Sequence, residues 1–450
     1  MEGLFNSPLS KIFLIGIVNT MKFAVGAAIF MVAIGGLFLF FHPRVLTIVP
    51  ISATGEKNAA SAQMADALPP IPESTSSSGI PAPAPSGIGK NYGDIEKQAP
   101  LPNPPSVVKG IYVTGWSAGS ERKMDSLIAL MKRTGLNAMV IDVKDYSGYV
   151  SYHTDIPEVK ASGAEGEIRI VRPNALIKKL HDNGIYIIGR VTDFQDPILA
   201  KAHPEWALKN KSTGGLWADN HGLAWMDPVA QPVWDYLASI AKDAFARGFD
   251  EVNFDYIRFA SDGSLENIAY PYWDEKSPRA AVVARYFKFL RATFPNNKIS
   301  ADLFGLATVA SNDLGIGQVL ENAYPYFDYV SPMMYPSHYG GGFLGYKNPA
   351  LHPYEVVKYS MNKALEKRLV LEKNNSSSSR SLARVRPWLQ VFDLGAAYDA
   401  GMVQKEIDAV ESSFRVGAGN ATSSAYSATM SGWLLWDPGN TYTAIKALSL

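Results

Sequence analysis

The chain contains no cysteine. Disulfides, thiol nucleophiles and cysteine-ligated metals are therefore excluded, and an oxidising compartment is tolerated. Histidine is scarce, with seven residues and neither an H-x-H nor an H-E-x-x-H pattern, so a metallohydrolase is not expected. No charge is in excess: Lys and Arg number 42 and Asp and Glu 42, which leaves no basic surplus for nucleic acid. Phosphate-loop glycine patterns are missing too. "GWSAGS" lacks both the dinucleotide fingerprint and the context of a serine nucleophile elbow. No cofactor and no metal site are implied.

What is present divides the 450 residues into three parts. Residues 23–41, "FAVGAAIFMVAIGGLFLFF", carry no charge and are long enough to span a bilayer as a helix. Lys11 and Lys22 precede this run, so residues 1–50 read as a cytoplasmic N-terminus and an uncleaved membrane anchor; a long cleaved signal is the alternative. Residues 51–108, with "LPPIPESTSSSGIPAPAPSGIGK", have the composition of a disordered tether. From residue 109 to 450, short apolar runs alternate with amphipathic stretches.

Eight of those runs read as strands, at 110–116, 137–145, 184–194, 249–259, 298–305, 327–336, 386–393 and 431–438. Helical stretches lie between them, several closed by a glycine such as Gly135, Gly184 or Gly248. "KNNSSSSRS" at 373–381 reads as a disordered insertion. Eight strand-then-helix units predict an α/β fold, a (β/α)8 TIM barrel behind the transmembrane helix and linker, with a doubly wound open sheet as the alternative.

A barrel of this kind works at the C-terminal ends of its strands. Polar residues fall late in the apolar runs: Asp142 and Lys144, then Arg190 and Asp193, Asp255 and Arg258, Asp302, Tyr335, Gln390, and Trp436 with Asp437. Strand-end Asp also caps turns and helices, a structural role open above all to Asp437. Alternation places Asn253 and Asp255 on one face of strand four, and Ser300 and Asp302 on one face of strand five. Asp255 and Asp302 can thus meet at the mouth. Two carboxylates of unlike pKa are what glycosidic cleavage requires. Arg190 or Arg258 would hold the base ionised, and Lys144 would tune Asp142. A rim ion pair without chemistry is the competing reading. Trp116, Trp225 and Trp436 lie near strand ends, where flat rings suit the apolar faces of sugars.

The blocks "VIDVKDYSGYVSY", "GRVTDFQDP", "AWMDP", "EVNFDYIRF", "SADLFG", "VSPMMYPSHY" and "WLLWDPGN" resemble, in that order, the "putative glycosyl hydrolase domain" family of bacterial envelope proteins. The family's barrel is similar to those of alpha-amylases and related polysaccharide hydrolases. The resemblance implies a nucleophilic Asp at the end of strand four, which Asp255 matches. The acid of those relatives is a Glu ending strand five, where this chain has Asp302. The expectation is a membrane-anchored, extracytoplasmic glycoside hydrolase of the bacterial cell envelope, acting on a polysaccharide or oligosaccharide. A non-catalytic carbohydrate-binding barrel is the alternative, and a scaffold using the barrel surface is a weaker third reading.

Overall fold

The computed structural model describes residues 93–374, 380–415 and 431–450. The expected anchor, the tether up to residue 92 and the serine run at 375–379 lie outside the described residues. Among the described residues no helix is long and apolar enough to cross a membrane.

All eight expected strands form: β1 Val108–Val113, β2 Ala138–Lys144, β3 Tyr186–Thr192, β4 Glu251–Asp255, β5 Ile299–Phe304, β6 Tyr329–Met333, β7 split into Arg384–Val385 and Trp388–Gln390, and β8 Gly432–Trp436. Each pairs in parallel with its neighbours, and β8 returns to β1 through Val108 opposite Gly432, so the barrel is closed. The break in β7 falls at Arg386-Pro387, because proline supplies no N–H to the ladder. The strands are shorter than their apolar runs. β4 is cut most sharply: Tyr256 adopts a left-handed φ of 55° and ends it at Asp255.

The helices follow local rules. Glu121–Thr134 (α1) is N-capped by Ser120 and stopped by Gly135 at φ 82°. Pro173–Asp182 (α2) and Gln231–Arg247 (α3) both have proline in the first turn. Gly248, at φ 108°, closes α3. Arg279–Thr293 (α4), Pro353–Asn374 (α5) and Ala400–Arg415 (α6) complete the outer layer. The alternation is not perfect: between β5 and β6 the only α-helix is the short Leu320–Ala323. Residues 94–101, inside the stretch with tether composition, are bound to the barrel. Asp94 accepts from Asn174 and Ala175 N–H at the start of α2, and Leu101 N–H donates to Asp250.

Outward side chains of the strands join the helices in one large apolar core. Inside the barrel the two halves differ. Val108, Ala138, Val140, Ile188 and Leu434 make the β8–β3 side apolar. The β4–β7 side is polar. At its base Glu251 and Arg386 form an ion pair with no exposure on either side chain. Ser300 and Tyr186 both donate to Glu251, and the Tyr329 ring lies 4.2 Å from the Arg386 guanidinium. Removing one member of such a pair strands the other charge in a low-dielectric interior. Glu251→Ala should therefore cost about 3–5 kcal/mol in urea unfolding, and a Glu251→Gln, Arg386→Met double variant should recover most of it. A cost under about 1 kcal/mol for the single change would contradict this reading of the base.

Candidate active site

The site grows upward from that polar half. The register pairs Asn253 with Ser300 and Phe254 with Ala301, so the next step brings Asp255 level with Asp302. The expected face is the one used. Asn253 Nδ2 donates to Ser300 Oγ at 3.1 Å and to Asp302 Oδ1 at 2.9 Å, inside the barrel. Trp388 Nε1 on β7 also donates to Asp302 Oδ1, at 2.8 Å. Among the described residues, Asp302 Oδ2 has no hydrogen-bond partner. Burial, and then the nearby Asp255 charge, hold the Asp302 carboxyl well above the usual carboxylate range. Two donors occupy Oδ1, so Oδ2 is the oxygen left to carry a proton.

Asp255 is held differently. Arg190, from β3, donates to its Oδ2 through Nη2 at 2.6 Å and Nε at 3.1 Å. The Tyr256 N–H donates to Oδ1 at 2.6 Å, a contact made by the same left-handed turn that ends the strand. That turn costs about 1–3 kcal/mol at a non-glycine residue, and such strain gathers at functional sites. The third nitrogen of Arg190, Nη1, donates to Asp142 Oδ1 at 2.7 Å. Tyr112 Oη donates to Asp142 Oδ2 at 2.6 Å. Burial raises the Asp142 carboxyl above the ordinary range, against the pull of Arg190.

The aromatic partners stand around this centre. Trp436, at the end of β8, stacks on Tyr112 with ring centroids 3.8 Å apart. The Arg190 guanidinium lies 5.2 Å from the Trp436 ring. Tyr335 is buried edge-on to Phe392 and beside His338, whose pKa burial lowers to about 4. Trp116 is 60 % exposed at the end of β1, with the Arg169 guanidinium 5.4 Å from its ring.

Other expected site residues sit elsewhere or are already engaged. Lys144 does not reach Asp142. It is turned away by a register shift in β2 and binds Asp196 at 3.0 Å and the Thr192 carbonyl at 2.6 Å. Asp193 is fully buried, where burial raises its pKa well above the usual range and Lys144 opposes that shift. Gln390 accepts from Ser337 and donates to the Phe392 carbonyl, which fixes two loops. Asp437 caps its own turn, accepting from Gly439, Thr441 and Tyr442 N–H groups. Trp225 is a buried wall: its Nε1 donates to Asp219 at 2.9 Å, and Asp219 also holds Gln195 at 2.6 Å. Arg258 lies beyond the strand, against the Trp225 ring at 4.7 Å.

Three residues that hold the centre were missed by sequence reasoning: Tyr112, Asn253 as a donor, and Trp388. Tyr112 and Trp388 share the inward parity of their strands, the signal that could have found them.

A closed barrel of eight parallel strands with helices outside it places the chain among (β/α)8 barrels. Residues 110–442 match the family described as "Putative glycosyl hydrolase domain", and the chain belongs to that family. Among solved structures, it is similar to the PgaB (BpsB) glycoside hydrolase domain from Bordetella bronchiseptica, at 12% identity and a TM-score of 0.50, over 76% of this chain and 99% of that one. It is also similar to a hypothetical protein from Ruminiclostridium thermocellum, at 37% identity, over 43% of this chain and 96% of that one, with a TM-score of 0.39. An alpha-galactosidase from Thermus thermophilus matches at 12% identity and a TM-score of 0.41, over 75% of this chain and 59% of that one. No curated protein sequence matches significantly.

The Asp302 shift has a stability consequence. A carboxyl whose pKa is raised on folding loses stability as pH climbs from its unfolded value through its folded one. Asp302→Asn removes that loss while keeping the acceptor for Asn253 and Trp388. The variant should match wild type near pH 3 and be the more stable protein at neutral pH, as read from thermal melts across pH. Equal pH slopes for the two proteins would contradict the shift.

Proposed function

We propose that the protein is a glycoside hydrolase that cleaves a polysaccharide or oligosaccharide, with Asp302 as general acid and Asp255 as nucleophile or base. One observation carries this reading: adjacent strands hold two carboxyls in unlike surroundings, Asp255 ion-paired with Arg190 and Asp302 bound by neutral donors. Asp302 Oδ2 gives its proton to the glycosidic oxygen as the C–O bond breaks. Asp255 supplies an electron pair, to the anomeric carbon or to the proton of an attacking water. Arg190 pairs with Asp255 and fixes its rotamer through two N–H groups. Asp142 completes the ion-pair chain from the other side of Arg190. The half-buried Trp436 and the exposed Trp116 offer ring surfaces for sugar faces. The uncharged run at 23–41 and the Pro-rich stretch after it support a barrel anchored to the membrane and acting outside the cytoplasm, on a cell-envelope or extracellular glycan.

The test is reducing-end release from a panel of bacterial exopolysaccharides and peptidoglycan. Wild type should release new ends. Asp255→Asn should lower turnover by about 10³-fold or more with binding retained, as expected when a group acts only in the transition state. Equal binding by both proteins with no release from any polymer would instead make this a carbohydrate-binding barrel.

A further inference from the structure

Six arginines are buried among the described residues: Arg169, Arg190, Arg247, Arg258, Arg368 and Arg386. Five of them have a carboxylate within 4.0 Å. Arg258 has none, although it is only 2 % exposed. Its hydrogen bonds use Nη1 alone, to Ser261 Oγ at 2.8 Å and the Phe259 carbonyl at 3.3 Å. Among the described residues, Nε and Nη2 have no hydrogen-bond partner. Three rings surround the guanidinium instead: Trp225 at 4.7 Å, Phe304 at 5.0 Å and Tyr256 at 5.1 Å.

Ring faces partly offset the cost of burying a cation, but they leave its N–H fork open. The position adds meaning. Arg258 follows Asp255 by three residues, and its backbone N–H closes on the Tyr256 carbonyl in the turn that ends β4. Phe304 ends β5, two residues after Asp302. The open cation is thus built into the same two strand ends as the paired carboxyls. Arg190 cannot serve in its place, because Asp142 and Asp255 already occupy its nitrogens.

We propose that Arg258 is the anion-recognising residue of the site, binding the carboxylate of an acidic sugar unit such as a uronic acid. This rests on the hydrolase reading for what happens to the bound glycan, but not for the binding itself. The acidic groups that act on Arg258, Asp262, Asp255 and Asp219, do so from beyond ion-pair distance, so no carboxylate among the described residues neutralises the guanidinium. A planar carboxylate can take two N–H groups at once, a match that a lysine ammonium does not offer.

The test uses the full chain and matched ligands: oligosaccharides of galacturonate, glucuronate and mannuronate, each with its carboxyl-reduced neutral counterpart, in calorimetric titrations. Wild type should bind at least one acidic series about tenfold or more tightly than its reduced form, with affinity falling as salt rises. Arg258→Met, which keeps the stem among the rings, should erase that preference. Arg258→Lys should restore only part of it, and serves if the Met variant fails to fold by thermal melt. No preference for acid over neutral in all three series, or a preference that survives Arg258→Met, overturns the proposal. Arg258-dependent binding without release of reducing ends would sink the hydrolase reading alone, whereas cleavage confined to neutral glycans would sink this one alone.

Discussion

Arg190 places one guanidinium between Asp142 and Asp255, inside a barrel that excludes nearly all water from the three side chains. Asp302 stands beside them with no cation in contact. Three carboxyls and one positive charge cannot all be ionised together in a low-dielectric space without a large uncompensated cost. The protons must go where the cation does not reach. Asp255 takes two N–H groups of Arg190, Asp142 takes one and a tyrosine hydroxyl, and Asp302 takes only neutral donors. That order of charge compensation sets the two proposed catalytic carboxyls apart: a cation holds Asp255, and neutral donors hold Asp302. The base of the barrel shows the contrast: one Glu and one Arg balance, and nothing is left over for chemistry.

The rest of the fold serves this distribution. The ion pair of Glu251 with Arg386, and Asn253 above it, form a polar column that leads from the base to the mouth on one side. The apolar half from β8 to β3 seals the other. The loop after β8 locks the closure, since Asn440 and Tyr442 both donate to the Tyr112 carbonyl, and Tyr112 in turn holds Asp142. The same loop aligns Trp436 on the Tyr112 ring. Barrel closure and site geometry are therefore set by one set of contacts.

Much of this was legible in the sequence. The eight apolar runs, the glycine stops of α1 and α3, and the parity that brings Asp255 and Asp302 together all follow from local periodicity and turn chemistry. What periodicity could not show was the irregular backbone. The left-handed Tyr256 moves Arg258 off β4, and the shift in β2 sends Lys144 to Asp196 instead of Asp142. Neither event leaves a mark in the pattern of apolar residues. Gln390 and Asp437 read as mouth residues because they end strands, yet their side chains are spent on neighbouring turns. Partnership is a property of the assembled loops, and composition does not encode it. The ordered stretch at 94–101 is a similar case: its composition is that of a linker, and a few specific hydrogen bonds from Asp94 and Leu101 fix it to the barrel.

Asp302 is expected to carry a proton at neutral pH beside an Asp255 that is ion-paired with Arg190. Infrared difference spectroscopy of wild type against Asp302→Asn at pH 7 addresses it directly, because a protonated carboxyl and a carboxylate absorb in separate bands. The substitution should remove a protonated-carboxyl band and leave the carboxylate bands in place. Loss of a carboxylate band instead would show Asp302 ionised in the resting protein and would contradict its role as the acid.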